Sequence, residues 1–132
     1  MEYSFVYIGQ RNQTNTIISE TLIDEFGCAV HFHNVDEILK NDTIFEKLQP
    51  HLIIIDLYTS PGSAPSQIRK IRAIAPASPI LALHVFTEAK LKTPLLDSGA
   101  NEVLSTTPSQ TDLIDTTYSL IKKSGSSTGT RD

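Results

Sequence analysis

The segment Leu52-Ile53-Ile54-Ile55-Asp56 restricts the fold more than any other stretch of the chain. Four apolar residues in a row, three of them β-branched, leave no polar face for water, so the run reads as a strand covered on both sides. Strands of that kind belong to parallel sheets, whose crossover connections lay helices over each surface. Asp56 follows at once. It therefore sits at the carboxyl end of the strand, the edge at which open parallel sheets collect their ligands.

The remaining sequence supplies such helices and strands in alternation. Phe5-Val6-Tyr7-Ile8 is a compact apolar run ending at Gly9 and reads as a second buried strand. From about Thr14 to Phe26, Ile17, Ile18, Leu22 and Phe26 recur at helical spacing, and Gly27 supplies the stop. Ala29 to Phe32 predicts a shorter strand. Asn34 caps a helix carrying Ile38, Leu39, Phe45 and Leu48, which ends before Pro50 and can break at Asn41-Asp42-Thr43. A loop rich in Thr, Ser, Pro and Gly runs from Tyr58 to Pro65. Ser66 to Ala75 reads as a helix with Ile68, Ile71 and Ile74 inward. Its Arg69, Lys70 and Arg72 form a basic face, taken as solvated or else as a docking face for acidic groups. Pro79 to Val85 is another buried strand, and Glu88 to Ser98 is helical in composition despite Pro94, which has no N–H to donate. Gly99 ends it. Val103-Leu104 marks a fifth strand, and Ser109 with Asp112 forms a near capping box before Leu113, Ile114, Thr117, Leu120 and Ile121. Five β-α units imply the α/β class, with parallel strands, helices on both faces and right-handed crossovers. The domain is expected over residues 1–122, and residues 123–132, which carry no apolar side chain, as a flexible tail or linker.

Composition narrows the function classes. The 132 residues suit one domain. Eleven basic against fifteen acidic residues give a net charge of -4, which argues against a broad nucleic-acid-binding surface. The single cysteine, Cys28, allows no internal disulfide, and a reducing cytoplasm is the expected compartment. The longest apolar stretches, such as Pro79 to Phe86, fall far short of the ~20 residues a membrane helix needs. The start, Met1-Glu2-Tyr3-Ser4, lacks the basic and apolar segments of a signal peptide. No membrane contact and no direct nucleic-acid contact by this domain are expected.

The positions at the carboxyl ends of the strands are Gly9, Gln10 and Arg11, then Asp56, then His84 to Phe86, then Ser105 to Thr107. Asp56 is the one acid among them. At these residues the chain resembles a two-component response-regulator receiver domain. The segments that carry the resemblance are Leu52-Ile53-Ile54-Ile55-Asp56, Pro61-Gly62, the basic helix, Ala75-Pro76, Ser78-Pro79-Ile80-Leu81-Ala82-Leu83 and Gly99-Ala100-Asn101-Glu102, and together they span about residues 3–122. The resemblance implies a flavodoxin-like (βα)5 fold, a doubly wound five-stranded parallel sheet of strand order 2-1-3-4-5. It also implies that Asp56 stands at the position that accepts a phosphoryl group as an acyl phosphate. That attack brings two anions together, a repulsion of about 4 kcal/mol at ~4 Å for an effective dielectric near 20. The family offsets it with Mg²⁺, held by two acids after the first strand, and with a lysine after the fifth.

Here those supports are replaced. Gly9 and Gln10 stand where the paired acids belong, and residues 8–16 contain no acid at all. His84 stands at the switch position where the family has a Thr or Ser. Val103 stands where an aromatic residue often moves with the switch. The lysine position falls in Ser105-Thr106-Thr107-Pro108, with Thr106 as its replacement. The expectation is a degenerate, atypical receiver that binds Mg²⁺ weakly or not at all, with no other cofactor and no enzymatic activity of its own. Arg11, the nearest cation in sequence to the site, would hold Asp56 charged if the two pair; its alternative is solvent.

His31 and His33 alternate on one strand face, a spacing compatible with a metal, but no further ligand is apparent. His84 is either a sensor of pH or a hydrogen-bonded structural histidine. Cys28 reads as a small core residue. Thr14-Asn15-Thr16 faintly matches the phosphate loop of flavodoxins, without their glycine and stacking aromatics. The functional expectation is signal transduction by contact with a protein partner or by self-association as a homodimer. The candidate face includes Leu91, Leu95, Leu96, Thr117, Tyr118 and Ile121, several of which must face the core. The domain is a stand-alone receiver or the regulatory part of a transcription regulator. The alternatives are a phosphoacceptor using Asp56 and a small-molecule-binding flavodoxin-like module.

Overall fold

The computed structural model describes residues 2–41, 43–57 and 63–126, with the backbone alone for 123–126. Five strands, β1 (Ser4–Ile8), β2 (Ala29–His33), β3 (Leu52–Asp56), β4 (Ile80–His84) and β5 (Glu102–Ser105), form one sheet. Every pairing is parallel and the order is β2-β1-β3-β4-β5, as the alternating pattern and the resemblance imply. The helices between and after them are α1 (Gln13–Phe26), α2 (Val35–Lys40), α3 (Ile44–Leu48), α4 (Ala64–Ile74), α5 (Ala89–Asp97) and α6 (Gln110–Ser126).

The alternation of side chains along each strand divides the core into two layers. Val6, Ile8, Ile53, Ile55, Ile80, Ala82 and Val103 pack with Ile38, Phe45, Ile68, Ile71 and Leu95 on one face. Phe5, Tyr7, Leu52, Ile54, Leu81 and Leu83 pack with Ile18, Leu22, Cys28, Leu113, Leu120 and Ile121 on the other, beneath α1 and α6. All of β3 is buried, as its unbroken apolar run requires. Cys28 is buried in the second layer, and burial raises its thiol pKa.

Local sequence explains where the helices start and stop. Asn12 caps α1 and Asn34 caps α2, each in a reciprocal capping box with the third helical residue. Gly27 closes α1 in the left-handed conformation, φ 61°. The helix expected from Asn34 is two short helices, since α2 ends at Lys40 and α3 begins at Ile44. The loop expected to reach Pro65 is shorter on its far side: Ser63 caps α4, and Pro65 lies in its first turn, where no N–H is required. Residues 58–62 of that loop, with Pro61-Gly62, lie outside the described residues. Pro94 sits inside α5 without ending it. α6 continues through Ser126, past the expected domain end at residue 122, and the rest of the expected tail, 127–132, lies outside the described residues.

The basic face of α4 is corrected at Arg72. Its guanidinium is half-buried against the amino ends of the strands, where the Nε and Nη2 groups donate to the Gly99 carbonyl at 3.2 and 2.8 Å. Nη1 donates to the carbonyls of Ala75 at 2.9 Å and Ser78 at 2.6 Å. Nη2 also reaches Asn101 Oδ1 at 2.7 Å, and that oxygen accepts the Ile80 N–H at 2.8 Å. Arg72 thus ties α4 to β4 and to the turn before β5. Gly99 has φ 128°, and an added Cβ there would meet Arg72 Cβ at 3.0 Å. Arg69 donates to Ser98 Oγ at 3.2 Å, on the same side of the molecule.

Candidate functional site

Asp56 ends β3 with its side chain on the α1/α6 face, because it continues the alternation of Leu52 and Ile54. In the β1–β3 register Tyr7 lies opposite Ile54, so Asp56 is its diagonal neighbour on the same face. A phenol is long enough to cover that diagonal. The Tyr7 hydroxyl donates to Asp56 Oδ2 at 2.8 Å, within the buried interior. Asn15, in the first turn of α1, is also buried, and its Nδ2 donates to the Gln10 carbonyl at 2.9 Å and lies 3.4 Å from the same Asp56 oxygen. Asp56 is 5% exposed. Burial, then the negative charge of Asp56 and the hydrogen bond to it, raise the Tyr7 pKa far above its ordinary value. The phenol is therefore a permanent donor at any physiological pH.

Tyr7 is itself held from the sheet edge. Phe32 of β2 is its direct register partner, and the two rings stack with centroids 4.8 Å apart. Above Phe32 lies Arg11, its guanidinium carbon 4.5 Å from the ring centroid. The Arg11 Nε also lies 3.4 Å from Thr16 Oγ1. The cation nearest the site in sequence is thus placed on an aromatic face at the edge of the sheet.

Outside the carboxylate is a cleft of about 320 Å³ lined by Asn12, Thr14, Asp56, Thr106 and Thr107. Gly9 is buried and Gln10 exposed at its first-strand side. Thr106 and Thr107 come from the turn after β5, where the Ser105 hydroxyl accepts the Thr107 N–H at 3.1 Å. Among the described residues the wall is therefore made of hydroxyls and amides around one acid. His84, at the end of β4, is half-buried. Its Nδ1 lies 3.0 Å from the Phe86 backbone nitrogen and 3.1 Å from the Phe86 carbonyl oxygen, so the ring is held against the turn after β4.

The remaining expected site residues are dispersed. Leu95, Thr117 and Ile121 are buried and present no face to a partner, whereas Leu91 and Tyr118 are exposed, at 39% and 47%. Val85 and Phe86, not among the expected contacts, are also exposed. His31 and His33 lie on edge strand β2, and His33 Nδ1 is 3.8 Å from Glu37 Oε2. Among the described residues, no three His, Cys, Asp or Glu side chains gather as a metal-binding group. Tyr7 is the site residue that sequence reading missed, and Asn15, noted there only within Thr14-Asn15-Thr16, was not connected to Asp56. The available signal was a phenol inside a strand buried on both faces, since a buried hydroxyl requires a partner.

No protein-family model matches the chain, and no curated protein matches it. Solved structures do match in shape. The chemotaxis protein CheY4 of Vibrio cholerae superposes with a TM-score of 0.75 at 20% identity, covering 91% of this chain and 99% of that one. A two-component response regulator of Clostridium difficile gives 0.74 at 17% identity, with 92% and 97% covered. The receiver domain of a sensor histidine kinase of Pseudomonas aeruginosa, solved with a magnesium ion coordinated in its active-site cleft, gives 0.69 at 19% identity, with 91% and 98% covered. With its strand order, its paired helical layers and its acid at the end of β3, this chain has the fold of the response-regulator receiver domains.

Proposed function

We propose that this domain is an atypical receiver that acts in signal transduction through contact with a protein partner, with Asp56 kept out of Mg²⁺-dependent phosphoryl chemistry. The observation that carries the reading is the donation of the Tyr7 hydroxyl to Asp56 Oδ2 at 2.8 Å from inside the sheet. A carboxylate oxygen that accepts a hydrogen bond is a weaker nucleophile than the same oxygen without that donor. The donors that a hard divalent cation requires are also poorly supplied. Mg²⁺ seeks near-octahedral oxygen ligation, usually through one or two carboxylates. Here Gly9 offers no side chain, Gln10 is neutral and exposed, and the cleft contributes one acid among hydroxyls and amides. These residues do not fit a receiver-type magnesium site. Thr106 leaves the lysine position without a cation to offset the incoming phosphoryl group.

The contact surface in this reading is drawn from the exposed apolar side chains Val85, Phe86, Leu91 and Leu96, with Tyr118 as an exposed aromatic on α6. Such a face serves a protein partner or a second copy of the chain, either in a stand-alone receiver or in the regulatory part of a transcription regulator. The competing reading is a phosphoacceptor, which the place of Asp56 in the lining of the cleft favours. Incubation with acetyl phosphate or beryllofluoride and Mg²⁺, read by intact mass and amide shifts, separates the two. No adduct at Asp56 is expected, and a stoichiometric adduct would refute the reading.

A further inference from the structure

Four side chains from four different segments touch in series between the surface and the buried acid. Arg11 lies on Phe32, Phe32 stacks on Tyr7, and Tyr7 donates to Asp56. The series runs toward the β2 edge of the sheet, away from His84 and the β4–β5 side. Each link is a direct contact between neighbouring side chains. The charge-assisted bond to Asp56 fixes the position of the phenol ring, because a carboxylate attracts a hydroxyl about twice as strongly as a neutral acceptor does. The phenol ring in turn sets the plane on which Phe32 rests, and that ring is the platform for the Arg11 guanidinium.

We propose that Tyr7 is a positioning residue that couples the charge state of Asp56 through the half-buried Phe32 to the exposed Arg11, making the β2 edge the surface at which a change at Asp56 is displayed. The proposal rests on the reading of Asp56 as a carboxylate held by Tyr7. A change that removes the negative charge of Asp56 weakens the hydroxyl's hold, the phenol shifts, and the stack above it follows. Spatial adjacency alone does not establish coupling, so the test is a double-mutant cycle with a spectroscopic readout.

The cycle uses the full chain as wild type, Asp56→Asn, Tyr7→Phe and the double variant, each checked for an intact fold by circular dichroism. Asp56→Asn keeps the shape and removes the charge; Tyr7→Phe keeps the ring and removes the donor. The readouts are the Arg11 Nε–Hε resonance, which senses the Phe32 ring current, and the Phe32 ring resonances. Asp56→Asn is expected to move both signals in the wild-type background and to leave them unmoved when residue 7 is already phenylalanine. Thr106→Ala, on the opposite wall of the cleft, is expected to leave them unmoved as well. Equal displacement with and without the Tyr7 hydroxyl overturns the proposal, as does no displacement by Asp56→Asn in the wild-type background. Acetyl phosphate and Mg²⁺ added to the wild type separate this claim from the one it rests on. An Asp56 adduct removes the phosphorylation-independent reading, whereas the coupling stands or falls on the cycle.

Discussion

Removing one oxygen atom probes the site most directly. Tyr7→Phe retains the stack on Phe32 and deletes the 2.8 Å donor to Asp56. A hydrogen bond to a charged group contributes about 1.5–3 kcal/mol net, and the full value applies where both partners are shielded from water. Tyr7 is completely buried and Asp56 is 5% exposed, so water cannot readily replace the hydroxyl. The Asn15 amide, at 3.4 Å, is too distant to take over at full strength. The variant is therefore expected to lose about 2 kcal/mol near pH 7, a drop of about 1 M in urea midpoint for an m-value near ~2 kcal/mol/M. Asp56→Ala, which leaves the Tyr7 hydroxyl without its acceptor, costs about 1–3 kcal/mol. The double variant is expected to cost clearly less than the sum of the two, because the second change removes a group already deprived of its partner. The phenol also gives the difference a pH signature. Its pKa is raised in the folded chain above the ordinary 10.0, so the folded state keeps a proton that the unfolded state releases. The stability this provides is complete below pH 10 and declines as pH rises beyond it, by up to about 1.4 kcal/mol per unit. The gap between wild type and Tyr7→Phe should therefore narrow in alkaline solution and stay constant between pH 7 and 9. A Tyr7→Phe protein within about 0.5 kcal/mol of wild type at pH 7 would refute the reasoning, since that is the range of an inert surface change.

Further outcomes follow from the rest of the structure. Arg72→Ala frees the carbonyls of Ala75, Ser78 and Gly99 and is expected to cost about 2–3 kcal/mol in denaturant unfolding; Arg72→Lys recovers little, because an ammonium lacks the planar fork these acceptors surround. Gly99→Ala places a Cβ 3.0 Å from Arg72 Cβ at φ 128° and is expected to lower stability by about 1–3 kcal/mol, measured by the same unfolding. Cys28, buried and with its thiol pKa raised by burial, should react with a chromogenic disulfide at pH 8 far more slowly in the folded chain than in urea.

The scaffold was legible because its signals are local. An uninterrupted apolar run specifies a strand covered on both faces, and Gly27 and Asn34 punctuate the helices through contacts with near neighbours. Asp56 was legible as well, as the acid at the end of the central strand. The partner of that acid was not. In sequence Tyr7 counts as one more apolar residue of β1, and only the parallel register against Ile54 brings its hydroxyl across to Asp56. Arg72 was misread for a related reason. A helix-face argument places it with Arg69 and Lys70, but its carbonyl partners follow the helix or lie near residue 100. Leu95, Thr117 and Ile121 could not be sorted from Leu91 and Tyr118 by spacing, because helices beside a sheet edge carry apolar residues on more than one side. Arg11 was read as a candidate counter-ion. Its place on Phe32 depends on an aromatic of β2 that no local pattern connects to it.

The central claim is that Asp56 is a held acceptor and not a phosphoryl nucleophile. Intact-mass analysis of the wild-type chain after incubation with acetyl phosphate and Mg²⁺ tests it in one step. The account predicts an unmodified mass and no magnesium-dependent amide shifts at Gly9, Gln10, Asp56 or Thr106. A phosphoryl adduct mapped to Asp56 in stoichiometric yield would contradict it.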